Sequence, residues 1–425
     1  MRRLLAVLLW SALSAAFLGP GTVTTAAQAG ASHRFELVWA LVFGIVACVT
    51  LQEAAARLTI VSGKPLGRAV AEGWRTRTFA FCLVGSVVLG CAAYEAGNVL
   101  GGVAGLRLLV PQALPMALTG GLGLVAALAL LLGAPGRIAR VLGAVVALMG
   151  VAFLYTAFRL QPSVGDVAAG AVTPSIPAGA DMLTLALVGT TVVPYNLFLG
   201  SGLARGESLP LARFGITVAV VLGGIISVTV LVAGSAVEGP FGFPQLAAVL
   251  ENQGGILAAG LFAFGLAAAG LSSAITAPLA AGLAVSGVLP EGRIGRGGIV
   301  AIALAVLVFG LGFGLAGVRP VPVIIAAQAL NGFVLPAVAL FLLIAVNDRS
   351  LMGDEHLNGP LGNALLAVTT FVAVMLGVRG VVGALVRLGV PQPPAWGLVL
   401  ISLIVAGAIM PPMIKQLRRR RALRP

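Results

Sequence analysis

Apolar runs of about twenty residues recur along nearly the whole chain, and glycine, proline or arginine ends each of them. A helix rises 1.5 Å per residue, so one such run crosses the ~30 Å hydrocarbon core of a bilayer. Repeated about twelve times, the pattern leaves one fold class, an all-α polytopic membrane protein. Strands fail as an alternative, because an open sheet cannot satisfy its backbone in lipid and the period-2 alternation of a barrel is missing. Charge agrees with this. Only 9% of the 425 residues are Asp, Glu, Lys or Arg, against the ~25% that keeps a soluble domain wetted.

The expected spans lie near 4–30, 36–57, 79–108, 113–133, 140–160, 181–204, 211–236, 255–287, 297–318, 321–346, 361–378 and 395–414. The net charge of +13 does not point to nucleic acid, because the bases sit in blocks between apolar runs. That is the distribution the positive-inside rule produces. With a cytoplasmic start, twenty of the 26 bases fall inside, among them Arg2, Arg3, Arg57, Lys64, Arg68, Arg75, Arg213 and the tail from Lys415 to Arg424. Both termini are therefore expected in the cytoplasm of a bacterium, with the chain in its inner membrane. The N-terminus imitates a secretory signal ending at Ala27-Gln28-Ala29. Gly19-Pro20-Gly21 interrupts its apolar run, however, and removing it would leave an odd number of spans, so a retained, broken first helix is expected. Cys48, Cys82 and Cys91 all fall in apolar runs, and no disulfide framework is indicated.

Two interruptions stand out. Gly19-Pro20-Gly21-Thr22 splits the first span and Val193-Pro194-Tyr195-Asn196 the sixth. A proline within a helix removes a backbone hydrogen bond, and in lipid the freed groups must face a cavity or other protein. An ordinary kink explains either break alone. Equivalent breaks in two five-span halves point instead to a transporter site near the midplane.

The residues around these breaks resemble the natural resistance-associated macrophage protein (Nramp) superfamily of divalent metal transporters. Gly19-Pro20-Gly21-Thr22 followed by Gln28-Ala29-Gly30-Ala31 is similar to its first-helix signature, aspartate–proline–glycine–asparagine and then glutamine–alanine–glycine–alanine. Val193-Pro194-Tyr195-Asn196-Leu197 resembles its methionine–proline–histidine–asparagine–leucine, Ala268-Ala269-Gly270-Leu271-Ser272-Ser273 its eighth helix, and Gln328 with Leu335-Pro336 its tenth. The match runs from about residue 15 to 355. It implies a LeuT-type inverted repeat within one transmembrane transporter domain over 1–425. Repeat one would cover about 4–160 and repeat two about 181–346, with additional helices over 361–414.

The departures bear on cargo. In the family the ion is held by the aspartate and asparagine of helix one, the methionine of helix six and a nearby carbonyl. Here those positions read Gly19, Thr22, Val193 and Thr190, and the helix-six histidine is Tyr195. A thioether favours softer transition metals, and hard divalent ions ask for oxygen ligands that usually include carboxylates. What remains is neutral oxygen, with Thr22, Thr190, Tyr195, Asn196 and Gln328 expected at the substrate site and Thr24 and Thr191 expected only to cap broken backbone. Pro20, Gly21 and Pro194 mark the helix breaks. Glu95 stands in an apolar run, where charge is costly and by default functional. The resemblance places Glu95 and Asn98 at two acids of a proton route, with Asn98 replacing the second. Glu53 and Arg57, four residues apart, read as a surface ion pair.

His33 and His356 lie outside the spans with no metal-site spacing, and the glycine runs lack a phosphate-loop lysine. No enzyme constellation and no cofactor is expected. The partners are the lipid bilayer and a small ion or solute. Three functions remain open: an Nramp-like secondary transporter nominally for divalent metal cations with altered selectivity, a carrier of a non-metal small polar solute, and a non-transporting membrane sensor or scaffold.

Overall fold

The computed structural model describes residues 18–73, 77–133, 135–290, 293–387, 393–394, 396–405 and 407. The first part of the expected span 4–30, the end of span 395–414, Arg2, Arg3, Arg75 and the basic tail lie outside the described residues. No strand occurs among the described residues.

The first described helix is α1 (Pro20–His33), followed by α2 (Val38–Ser62), a short α3 (Leu66–Gly73), α4 (Arg77–Leu109), α5 (Pro115–Leu132) and α6 (Pro135–Leu160). After the short α7 (Val164–Val172), the sixth expected span is two pieces, α8 (Asp181–Thr191) and α9 (Pro194–Leu203). Then come α10 (Leu209–Gly234), α11 (Phe243–Val288), α12 (Arg296–Leu315), α13 (Pro320–Ala345), the single turn α14 (Arg349–Met352), α15 (Pro360–Arg387) and a short apolar α16 (Trp396–Val405). Among the described residues ten segments are long and apolar enough to cross a membrane. They correspond to expected spans two through eleven.

The eighth span is part of a 46-residue helix that Gly255 breaks with φ 69° and ψ −175°, at the residue where the span was expected to begin. The eleventh runs nine residues past its expected end. Arg379, which should have stopped it, donates to Asp181 Oδ1 at 2.7 Å, and a paired charge no longer terminates a helix.

The halves are related span by span. The first packs against the sixth (α1 with α8), the second against the seventh (α2 with α10), the third against the eighth (α4 with α11) and the fourth against the ninth (α5 with α12). Pairing the first four spans with those five places later is an arrangement an internal repeat produces. Small residues make it close-packed, as membrane interfaces require. At the α4–α11 crossing a Cβ on Gly270 would stand 2.4 Å from Gly102 Cα, so only glycine fits there.

Candidate functional site

The helix starts at both interruptions coincide with the prolines. Gly19 is extended (φ −68°, ψ 173°) and α1 begins at Pro20. α8 ends at Thr191, Val192 and Val193 are non-helical, and α9 resumes at Pro194. Proline has no N–H to lose at the first helical position, and it pushes the preceding residue into extended backbone. The expected unwound windows, Gly19–Thr22 and Val193–Asn196, are therefore too wide on their C-terminal sides. Gly21, Thr22, Tyr195 and Asn196 occupy first helical turns, and the Asn196 N–H already donates to the Val193 carbonyl at 3.0 Å.

The two breaks meet. Thr22 Oγ1 and Thr190 Oγ1 are 2.9 Å apart in a buried hydrogen bond that joins residues 168 positions apart in the chain. These are the positions of the asparagine and carbonyl ligands in the resemblance, and here they bond to each other. Gly19 and Val193 bring no donor atom beyond backbone. Thr24 and Thr191 turn back onto the Pro20 and Leu187 carbonyls of their own helices at 2.7 and 2.8 Å, rather than onto backbone freed by the break.

Gln328 closes the third side. A Cβ on Gly21 would stand 2.1 Å from Gln328 Nε2, so the carboxamide lies directly on the α1 backbone. Gln328 Oε1 is buried without a hydrogen-bond partner. On α13, Ile324 packs at Gly97 of α4 and Asn331 at Gly90. The two helices are antiparallel, and Gln328 stands level with Tyr94. The Tyr94 ring meets the Tyr195 ring edge-on, with centroids 5.3 Å apart and planes at 71°. Both hydroxyls are buried and neither makes a hydrogen bond. Asn196 is fully buried, and both atoms of its carboxamide lack a partner. Tyr94 and Asn331, whose Nδ2 is likewise unpartnered, were not singled out from sequence. The available signal was a polar residue three positions after Gln328 in an otherwise apolar helix.

Glu95 takes a different direction. It is fully buried, and Asn98 Nδ2 donates to its Oε2 at 3.2 Å, so the two candidate proton-route residues do meet. Its Cγ, however, lies against Gly310 of α12, where an added Cβ would be 2.5 Å away. Neighbouring residues on a helix point about 100° apart. Tyr94 therefore faces α9 while the Glu95 side chain packs against α12. The residues gathered at the break (Gly19, Thr22, Thr190, Val193, Tyr195, Asn196 and Gln328) are all uncharged. Among the described residues no group of three or more His, Cys, Asp or Glu side chains could hold a metal ion.

The Glu53–Arg57 pair is not the surface feature expected. Arg57 Nε lies 3.1 Å from Glu53 Oε1, but the guanidinium is buried and also donates to the His356 carbonyl at 3.1 Å and Asn358 Oδ1 at 2.7 Å. The loop after α13 folds over α2 and removes Arg57 from solvent.

A helix that starts at Pro20 and touches a sixth span broken at Pro194, in two halves whose spans pair one with six through four with nine, has the arrangement of the LeuT-type class of secondary-transporter folds. Within that class the chain belongs to the Nramp family. It matches the family described as natural resistance-associated macrophage protein-like over residues 11–383. It is 29% identical to the divalent metal cation transporter MntH of Verminephrobacter eiseniae over 370 residues, 80% of this chain and 81% of that one. The rice metal transporter Nramp3 is 27% identical over 86% of this chain and 73% of its own. A crystal structure of an Eremococcus coleocola manganese transporter mutant superposes with TM-score 0.73 at 19% identity, covering 98% of this chain and 94% of that one. The fold alone does not select cargo. Mhp1, a nucleobase-cation-symport-1 family transporter with bromovinylhydantoin bound, also superposes, with TM-score 0.61 at 18% identity over 97% of this chain and 92% of its own.

Proposed function

We propose that this chain is a secondary carrier of the Nramp family that works by alternating access around the crossing of its two broken helices. In this reading its selectivity has moved away from the divalent transition metals its relatives are named for. The observation that carries this is the Thr22–Thr190 hydrogen bond at the break, within a set of side chains that has neither charge nor sulfur. Stripping water from a divalent ion costs far more than neutral hydroxyls and carboxamides return, and the position of the family's soft thioether donor is Val193, which has no donor atom. The bases between the spans favour cytoplasmic termini in a bacterial inner membrane.

Purified protein in liposomes, tested for flux and calorimetric binding of Mn²⁺, Mg²⁺, Ca²⁺ and uncharged solutes, examines this directly. The expected result is saturable transport of a cargo other than Mn²⁺. Micromolar Mn²⁺ binding centred on α1, α8 and α9 would defeat the selectivity claim, and absence of any flux would favour a sensor or scaffold. Proton coupling should be weak or absent, since only Glu95 remains of the family's route. Whatever pH dependence of flux exists should vanish in Glu95→Gln, and strong proton cotransport surviving that change overturns the assignment.

A further inference from the structure

We infer that the cargo is a small uncharged solute carrying both a hydrogen-bond donor and an acceptor, as an amide, a ureide or a polyol does. This rests on the carrier reading above and names the substrate class of the same site.

Charge provides the first argument. Anionic, imidazole and thioether positions of the family pattern are glycine, tyrosine and valine here, while Asn196 and Gln328 are retained. The hydrogen-bonding machinery outlasts the metal-binding machinery. The first turn of α1 presents backbone N–H groups to the break and the last turn of α8 presents carbonyls, so the backbone there offers donors and acceptors together.

Donor–acceptor balance provides the second. A cation uses acceptors only. The unpartnered buried atoms here include donors as well as acceptors: Asn196 Nδ2 and Oδ1, Asn331 Nδ2 and Gln328 Oε1. Since both atoms of the Asn196 carboxamide are unpaired, its donor–acceptor character survives either orientation of the amide. A carboxamide edge with donor and acceptor side by side matches another amide or ureide edge at two points. The Thr22–Thr190 bond fits the same class, because a solute with a donor and an acceptor can replace that single bond with two.

These groups also follow one direction. Gln328 is at the break, Tyr94 and Tyr195 meet beside α9, and Asn331 lies one turn further along α13 towards the rim that carries Arg57. The result is a line of neutral hydrogen-bonding side chains running away from the break.

The test uses the full chain in proteoliposomes with acetamide, urea and glycerol as uncharged probes and Mn²⁺, Mg²⁺ and Na⁺ as charged ones, each at several imposed membrane voltages. The expected result is saturable, voltage-independent flux of at least one uncharged probe. It should fall at least tenfold in Asn196→Ala and persist in Gln28→Ala, whose residue lies on α1 bonded to Ser32. Voltage-dependent cation flux that is lost in Asn196→Ala and not inhibited by any uncharged probe overturns the inference and leaves the carrier reading standing. No saturable flux or binding of any probe overturns both. Where Asn196→Ala does not fold, Thr22→Val replaces it, with the same outcomes.

Discussion

The helix breaks and the basic rim treat charge in opposite ways. At the breaks, Thr22 bonds Thr190 and the surrounding amides and hydroxyls are neutral. At the rim, Glu53 Oε1 sits 3.1 Å from Arg57 Nε and 2.8 Å from Arg213 Nη2, and Glu72 pairs with Lys64 at 2.7 Å and with Arg68. The rim also holds α2 to α9 through the Thr59–Ser201 hydroxyl pair at 2.6 Å. Charged pairs therefore persist at the rim, while the residues named at the break are uncharged. Loss of charge is local to the site, not a general drift of the sequence towards apolarity.

The strongest way to break this contrast is to put charge back at the centre. Gly19→Asp with Thr22→Asn and Val193→Met should raise Mn²⁺ affinity about a hundredfold, ~2.8 kcal/mol, measured by calorimetry in detergent. An unchanged affinity would mean that the site geometry, and not only its ligands, has been lost.

At the rim the corresponding experiment removes charge. Arg57→Leu leaves the His356 carbonyl and Asn358 unpaired in a buried place, and should cost about 3 kcal/mol of stability. Arg213→Gln, on the exposed side of the same glutamate, should cost under about 1 kcal/mol. Thermal unfolding of the two variants separates them, and equal effects would make Arg57 an ordinary surface base.

Packing at the centre can be tested without charge. A Cβ on Gly189 would stand 2.1 Å from the Gln328 carbonyl oxygen, so Gly189→Ala must push α8 from α13. About 1–3 kcal/mol should be lost, together with transport. Retained flux with a normal unfolding temperature would show that the two helices are not held as closely as this.

The smallest effect concerns pH. A hydrogen bond from Lys64, helped by Arg68, holds the Glu72 carboxyl below its ordinary range. A depressed carboxyl stabilises the fold above its unfolded value near pH ~4.3 and loses that contribution as pH falls through the lower folded value. Solvent screens this pair, so Glu72→Gln should cost less than about 1 kcal/mol at neutral pH. The difference from the native chain should disappear in acid, as unfolding curves at pH 7 and pH 3 would show.

Much of the architecture was legible because a bilayer imposes length and apolarity on every crossing, and the ten described spans follow from those alone. Pro20 and Pro194 located the breaks for an equally local reason, the missing N–H. Their extent was misjudged because proline both ends extended backbone and starts a helix, which placed Thr22 and Asn196 in helical turns. The helix-end error at Arg379 and the surface reading of Arg57 have one cause: each charge found its partner in a segment distant in sequence.

The sequence by itself determined the fold class, the spans, the two breaks and the absence of charged or sulfur ligands at them, since each depends on residue type and local spacing. Only the tertiary structure decided that Thr22 reaches Thr190, that Tyr94 turns to the site while Glu95 turns to α12, and that Asn331 joins Gln328 along one face. Those depend on which helix faces which across more than a hundred residues of chain. The inverted repeat brings equivalent breaks together, and packing through glycine sets their separation to a hydrogen-bond length.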